Sequence, residues 1–294
     1  MSQVPRWAAL ALLAVTAVWG STFVVVKDAV EAMPVTDFLT WRFALAALAM
    51  VVLRPRSVAR LGPTGRRAGL LLGIALGVGY LLQTLGLQTT PAAVSGFITG
   101  MFVVFTPLGA AVLLRQAPSR LAWLAVAIAT LGLALLSLRG ASLGTGELLT
   151  LACAAAFALH IVGLGQWSSS YDAFGLAVVQ LLTVAALCAV VALPGGLVVP
   201  PTAAVWSAIA LTSLAATAVA FVVQTWAQAH LPPTRAAVIM TMEPVFGGAF
   251  AVLAAGEQLS GRAWLGAALV LVAMLLTEIG PRHGAEGRLQ RLEV

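Results

Sequence analysis

The chain of 294 residues is 61% hydrophobic and only 9% charged. Soluble proteins carry about 25% charged residues, so this composition excludes an ordinary water-soluble domain and predicts a polytopic membrane protein. The net charge of +6 is therefore interpreted through the positive-inside rule and not as affinity for nucleic acid.

The first apolar segment begins "MSQVPRWAALALLAVTAVWG" and resembles the basic start and apolar core of a signal peptide. However, the apolar stretch continues through Val26, and no A-x-A cleavage site closes it. We therefore expect an uncleaved first membrane span.

Ten apolar runs follow one another along the chain, each near the length of about 20 residues that a membrane helix needs. They lie near residues 7–26, 35–53, 67–87, 91–114, 119–138, 146–166, 173–193, 203–228, 233–256 and 261–279. The sequence thus predicts an all-α polytopic membrane protein with ten transmembrane helices and a polar cytoplasmic tail over 281–294.

Basic residues predict the orientation of these spans. With the N-terminus in the cytoplasm, the cytoplasmic segments contain twelve Lys and Arg residues, against three on the opposite side. The twelve are Arg6, Arg54, Arg56, Arg60, Arg66, Arg67, Arg115, Arg120, Arg235, Arg282, Arg288 and Arg291; the three are Lys27, Arg139 and Arg262. This excess predicts that both termini are cytoplasmic.

The two halves of the chain are similar at a shift of 138–141 residues. "YLLQTLG" (80–86) corresponds to "FVVQTWA" (221–227), and "SRLAWLAVA" (119–127) corresponds to "SGRAWLGAA" (260–268). Each half, residues 1–140 and 141–280, would contain five helices, so the second is expected to be inverted in the membrane. Inverted repeats are typical of secondary transporters, whose substrate site lies near the midplane.

Three ionisable residues lie inside predicted spans, where a charge costs roughly 2.5–3.5 kcal/mol, and each is a candidate for function. Glu243 is near the middle of its span and is either a structural carboxyl or a group that handles substrate or protons. For Arg42 we favour an anchor at the outer interface over pairing with an acid. His160 is either a satisfied interior histidine or a ligand contact that titrates near neutrality.

Two prolines are predicted to bend helices in corresponding positions. Pro244 removes a hydrogen bond to the carbonyl of Met240, and Pro107 removes one to Val103. We expect both to act as hinges. Thr106 stands where a glutamate would precede Pro107, so the role of Glu243 is predicted to occur once in the chain.

Polar and aromatic residues at helical spacing predict an amphipathic cavity with little fixed charge. Such a cavity suits a small zwitterion with an apolar side chain better than a multiply charged ion. The candidate substrate-binding residues are Trp19, Ser21, Thr22, Tyr80, Gln83, Phe97, Met101, His160, Gln224, Met240 and Glu243.

The sequence lacks the common motifs of catalysis and cofactor binding. It contains no G-x-S-x-G, H-E-x-x-H or Walker-type motif, so we expect no enzyme activity, no cofactor and no metal, and an intramembrane enzyme is the disfavoured alternative. Cys153 and Cys188 lie in apolar runs and are interpreted as small buried hydrophobes.

Three segments resemble the EamA-type drug/metabolite transporters: "AVWGSTFVVVK" (17–27), "WRFALAAL" (41–48) and "AAVIMTMEPVFGGAFAVLAAGEQLSGRAWLGAALVLVAMLL" (236–276). The resemblance extends over about residues 7–280, and the E-P-V within a helix followed by "GEQLS" is its most specific part. It implies two inverted five-helix repeats, both termini in the cytoplasm, alternating access in an inner membrane, and export of amino acids or related metabolites.

The resulting hypothesis is a secondary transporter that exports small neutral or aromatic amino acids across a bacterial inner membrane. Its partners would be an amino-acid-like small molecule and the lipid bilayer, and the sequence leaves open whether protons are a coupling ion. The alternatives are a broad-specificity drug or metabolite exporter and a passive facilitator for other small solutes.

Overall fold

The computed structural model describes residues 4–90, 92–115, 117–137, 144–255 and 260–279, and within these ranges every regular element is helical. The predicted tail, the predicted repeat boundary at 140 and 141, and Arg139, Arg282, Arg288 and Arg291 lie outside the described residues. The α-helices are α1 (Val4–Ala32), α2 (Val35–Leu53), α3 (Ser57–Arg60), α4 (Gly62–Leu87), α5 (Ala92–Gly100), α6 (Phe102–Leu113), α7 (Arg120–Ser137), α8 (Thr145–Trp167), α9 (Ala173–Ala192), α10 (Ala203–Ser213), α11 (Ala220–Gln228), α12 (Pro233–Met240), α13 (Glu243–Ala255) and α14 (Gly261–Ile279).

Seven helical segments of the described chain are long and apolar enough to cross a membrane. They begin in α1, α2, α4, α5, α8, α9 and α10, while α7 and α14 contain shorter apolar helices. Each of the ten predicted spans falls on one of the helical segments, counting α12 and α13 together. The all-helical class is confirmed for the described residues; the number of spans stays a prediction.

Two helices are interrupted by a single tightened turn near their middle. Between α5 and α6, Met101 has φ −63° and ψ −9°, and its N–H donates to the carbonyl of Ile98 at 3.1 Å. Between α12 and α13, Thr241 has φ −66° and ψ −8°, and the N–H of Met242 donates to the carbonyl of Ile239 at 3.1 Å. Both interruptions are therefore local turns of the i→i+3 type.

The predicted hinge prolines stand differently relative to these interruptions. Pro244 is the second residue of α13. A missing N–H is tolerated there because the N–H groups of the first helical turn have no acceptor within the helix. Pro107 lies inside α6, beyond the interruption at Met101. With Met101 aligned on Thr241, Glu243 falls opposite Val103. The alignment on the two prolines places Thr106 there instead.

A π-helical segment, Leu214–Val219, joins α10 to α11 into one continuous helical rod. The N–H of Ala220 donates to the carbonyl of Ala215, five residues earlier. Such segments contain one residue more than an α-helical turn and occur mostly as single insertions, frequently at functional sites.

Two large apolar clusters form the core. One lies among α1, α6, α7, α8, α11, α12, α13 and α14, and the other among α1, α2, α4, α9, α10 and α11. The helix α1 contributes to both clusters and also packs against α11, α12 and α13. Polar side chains of α1, α2, α4, α8, α11 and α13 meet between the two clusters, and this is where the candidate site lies.

Candidate functional site

A cavity of about 80 Å³ lies between the two apolar clusters. A single water needs roughly 10–15 Å³ by this kind of measure, so the cavity has room for several waters. Its lining residues are Trp19, Thr22, Val26, Arg42, Leu76, Tyr80, Gln83, Thr84, Leu87, Thr99, Phe102, Phe157, His160, Ile161, Phe221, Gln224, Met240 and Glu243. The cavity is thus mostly apolar, with one cation, one acid and several amides and hydroxyls.

The structure brings eight of the eleven candidate binding residues into this lining: Trp19, Thr22, Tyr80, Gln83, His160, Gln224, Met240 and Glu243. The other three are not part of it. Ser21 donates instead to the carbonyl of Val18 in its own helix, at 2.7 Å. Phe97 packs against the first apolar cluster, and Met101 forms the interruption between α5 and α6.

Arg42 is the main site residue that sequence reasoning placed elsewhere. It was expected to anchor α2 at the outer interface, but it is only 3% exposed and lines the cavity. The general cost of an intramembrane arginine was the signal that could have identified it. Other lining residues, including Phe157 and Phe221, are apolar or small, so their residue types do not distinguish them from ordinary packing.

The guanidinium of Arg42 is held by neutral groups. Its Nε donates to Thr217 Oγ1 at 2.8 Å, and Nη2 makes a longer contact of 3.5 Å with the carbonyl of Ala216. Its central carbon lies 5.1 Å from the ring centroid of Tyr80 and 5.4 Å from that of Phe43, which is the range of cation–π contacts. Among the described residues, none of these partners carries a negative charge.

Aromatic side chains form one wall of the cavity. Tyr80 is its centre, with ring centroids 4.9 Å from Phe43, 5.4 Å from Phe157 and 6.2 Å from Phe221, all in edge-to-face geometry. Trp19 lies 5.6 Å from Phe221, and its Nε1 donates to the carbonyl of Ala216 at 2.8 Å. Such edge-to-face pairs are favourable contacts, so these rings form a continuous aromatic surface on this side of the cavity.

Glu243 is the first residue of α13 and directly follows the interrupted turn. It lines the main cavity and also a smaller one of about 10 Å³, which is the size of one water. A Cβ atom added at Gly20 would lie 2.5 Å from the carbonyl oxygen of Glu243 and 2.9 Å from the backbone nitrogen of Gly247. The close approach of α1 therefore fixes the backbone that carries this carboxylate.

A chain of amides runs from the cavity to α8. Gln228 Nε2 donates to the carbonyl of Ile161 at 3.0 Å, which leaves Gln228 Oε1 to accept from Gln224 Nε2 at 3.1 Å. Because a carbonyl can only accept, this sequence of donors assigns the orientation of both amides. Gln224 Oε1 has no hydrogen-bond donor in the described part of the chain.

The hydrogen bonds of Gln180 indicate which ring nitrogen of His160 carries the proton. Its Nε2 lies 2.7 Å from Gln180 Oε1, and Gln180 Nε2 donates to the carbonyl of Leu176 at 3.1 Å. The amide oxygen of Gln180 therefore accepts, and the neutral imidazole carries its proton on Nε2. His160 is thus a hydrogen-bonded interior histidine whose ring also borders the cavity.

Within the described ranges, no group of three His, Cys, Asp or Glu side chains is arranged to hold a metal ion. Cys153 and Cys188 are both buried and free. The chemistry that the arrangement offers is non-covalent: a guanidinium, a carboxylate and amide groups around an aromatic cavity.

The described residues thus form an all-helical fold with a central cavity, and seven of its helical segments are long and apolar enough to cross a membrane. The model of the EamA-like transporter family matches residues 6–138 and 144–279 of the chain. The chain therefore belongs to the EamA-like transporter family and is a multi-pass membrane protein.

Two further similarities accompany the family match. An uncharacterized transporter of Archaeoglobus fulgidus is 31% identical over 273 residues, which cover 93% of this chain and 86% of that protein. A solved crystal structure of another protein matches 98% of this chain and 99% of its own, with a TM-score of 0.77 and 18% identity. At that identity, the second similarity concerns the fold alone.

Proposed function

We propose that this EamA-like protein is a secondary transporter that exports small neutral or aromatic amino acids by alternating access. The observation that carries the proposal is the cavity, because its lining includes one buried guanidinium and one carboxylate together with several aromatic rings. These are the groups that complement the carboxylate, the ammonium and the side chain of such an amino acid.

The charges of the cavity argue for a zwitterion. Arg42 has only neutral hydrogen-bond partners among the described residues, so its guanidinium can donate to the carboxylate of a substrate. Glu243 offers the opposite charge to an ammonium in the same cavity. A zwitterion offers a carboxylate to Arg42 and an ammonium to Glu243 at once, whereas a singly charged solute can bind to only one of the two residues.

The proposed architecture is ten transmembrane helices in two inverted five-helix repeats. Support comes from the separate family matches to 6–138 and 144–279 and from the similar interruptions at Met101 and Thr241. The helix packing also occurs in corresponding pairs: α4 packs on α9 as α2 packs on α10, and α6 packs on α8 as α1 packs on α13. Two such repeats that rock about a central site would give alternating access.

The bacterial inner membrane, the cytoplasmic termini and the direction of transport rest on the sequence. The excess of Arg on the cytoplasmic loops supports the orientation. The segment "GFITGMFVVFTPLGA" (96–110) resembles the bacterial amino-acid exporter YddG, which supports amino acids as the exported class. Protons are proposed as the coupling ion because Glu243 is a titratable group in the lining of the cavity.

The test is transport of labelled phenylalanine by the purified protein in proteoliposomes, with unlabelled neutral, acidic and basic amino acids and an aromatic organic cation as competitors. We expect competition by neutral and aromatic amino acids and acceleration by a pH gradient. Competition by the organic cation alone would contradict the proposal and favour a broad-specificity drug exporter. A rate that does not respond to a pH gradient would favour a passive facilitator.

A further inference from the structure

The π-helical segment Leu214–Val219 lies against two side chains of the cavity. The carbonyl of Ala216 accepts from the indole of Trp19 at 2.8 Å and has a contact of 3.5 Å with Arg42. The neighbouring Thr217 accepts from Nε of Arg42 at 2.8 Å. The segment therefore contacts both α1 and α2 through residues that line the cavity.

The hydroxyl of Thr217 makes a hydrogen bond between helices. Threonine hydroxyls in helices normally donate to a carbonyl three or four residues earlier in their own helix. Thr212, in the preceding turn, does this with the carbonyl of Ala208 at 2.7 Å, and Thr183 does so with Val179 at 2.8 Å. Thr217 instead is fully buried and receives a hydrogen bond from a residue 175 positions away in the sequence.

This hydrogen bond determines which edge of the guanidinium remains for a ligand. An arginine can present either its Nε edge or its terminal Nη1–Nη2 edge to a carboxylate in a bidentate pair. Thr217 occupies Nε, and the rings of Phe43 and Tyr80 flank the guanidinium. The terminal edge is the one left for a bidentate ligand in the cavity.

We infer that Thr217 is the positioning residue for the carboxylate of the substrate: by holding Nε of Arg42, it directs the terminal edge of the guanidinium to a carboxylate in the cavity. The inference rests on the proposed function and deepens it by assigning the anionic end of the substrate to Arg42. Trp19 supports the arrangement because it holds the adjoining carbonyl of Ala216.

The experiment compares three probes that share one benzyl side chain. Phenylalanine carries a carboxylate and an ammonium, 3-phenylpropionate carries only the carboxylate, and phenethylamine carries only the ammonium. Transport of phenylalanine and its inhibition by the other two are measured in proteoliposomes, and binding of all three is measured by the shift in melting temperature of the purified protein.

Thr217→Val keeps the shape of the side chain and removes the hydroxyl. We expect the KM for phenylalanine and the inhibition constant of phenylpropionate to rise about tenfold, as when a hydrogen bond to a charged group is lost. The inhibition constant of phenethylamine should stay within about twofold, and the maximal rate should change less than the KM. Thr217→Ser should restore all three values, because serine keeps the hydroxyl.

Thr212→Val is the matched control, since it removes a hydroxyl from the same rod that contacts only its own helix. We expect it to leave the three constants unchanged. Equal losses for phenylpropionate and phenethylamine, or no loss in Thr217→Val, would overturn the inference. The native protein could also bind phenylpropionate, with weaker binding in Thr217→Val, and yet neither bind nor transport phenylalanine. That result would contradict the proposed amino-acid transport but support the carboxylate site at Arg42.

Discussion

The two interrupted helices have the same backbone geometry at their interruptions but different side chains after them. The turn at Met101 between α5 and α6 and the turn at Thr241 between α12 and α13 have nearly the same dihedral angles. The residue after the first interruption is Phe102, which contributes only an apolar ring to the cavity. The second interruption is followed by Met242 and then by Glu243, the first residue of α13.

The interruption and the carboxylate are therefore separable features. A tightened turn at both places indicates a requirement of the fold, since it occurs with and without an acid beside it. The carboxylate occurs in the second helix only, where it faces the guanidinium-bearing cavity. We therefore expect changes at Glu243 to alter transport and equivalent changes in α6 to alter it little.

The largest effect is expected for Glu243→Gln, which keeps the size of the side chain and removes its negative charge. Because the carboxylate is proposed to bind the ammonium of the substrate, transport of phenylalanine should fall by at least about tenfold. Its pH profile should flatten at the same time if this group carries the coupling proton. The measurement is initial uptake into proteoliposomes over a series of pH values. An unchanged rate and pH profile would make the residue purely structural and remove the difference between the two helices.

A smaller effect is expected from Gly20→Ala, which tests whether the position of α13 matters. Its new Cβ would meet two backbone groups of α13, at 2.5 Å from the Glu243 carbonyl and 2.9 Å from the Gly247 nitrogen, and overpacking of this kind costs about 1–3 kcal/mol. We expect a lower melting temperature and a higher KM for phenylalanine.

Gly247→Ala is the control on the same helix interface. Its Cβ would lie 3.4 Å from the carbonyl oxygen of Gly20, an ordinary contact, so melting temperature and KM should both stay near the native values. Equal effects of the two substitutions would show that the interface, and not the placement of Glu243, limits transport.

The smallest effect is expected for Thr106→Val in α6. Thr106 is fully buried, and its hydroxyl has no hydrogen-bond partner among the described residues. Replacing an unpaired buried hydroxyl by a methyl group is neutral or stabilising, so the melting temperature should stay or rise slightly and transport should be unchanged. A clear loss of transport would indicate that α6 carries chemistry of its own.

Much of this arrangement could be predicted from the sequence, because apolar length and helical spacing are local properties. The intramembrane position of Glu243 and the pairing of Gln83 with Gln224 led directly to residues of the cavity. Arg42 could not be placed in the same way, since a long side chain near the end of a span reaches either the interface or the interior. Only tertiary contacts with Thr217 and Tyr80 decide between the two.

The pairing of Pro107 with Pro244 illustrates a different limit. Proline indicates a missing hydrogen bond, but it can occupy the first turn of a helix as well as its interior. The prediction at Pro244 lies close to the interruption at Thr241, but no sequence signal indicated the turn at Met101, which contains no proline.

The π-helical segment also changes the face of the rod on which the following residues lie. Ala210 and Gln224 are fourteen residues apart, and an uninterrupted α-helix at 100° per residue would place them within about 40° of each other. Ala210 is exposed, yet Gln224 is 3% exposed and borders the cavity. The extra residue shifts the frame by about 100°. Within this rod of 26 residues, the residues after the π-helical segment therefore lie on a different face from the one that α-helical spacing would predict. The extra residue, and not only the residue types, determines which side chains of α11 face the cavity.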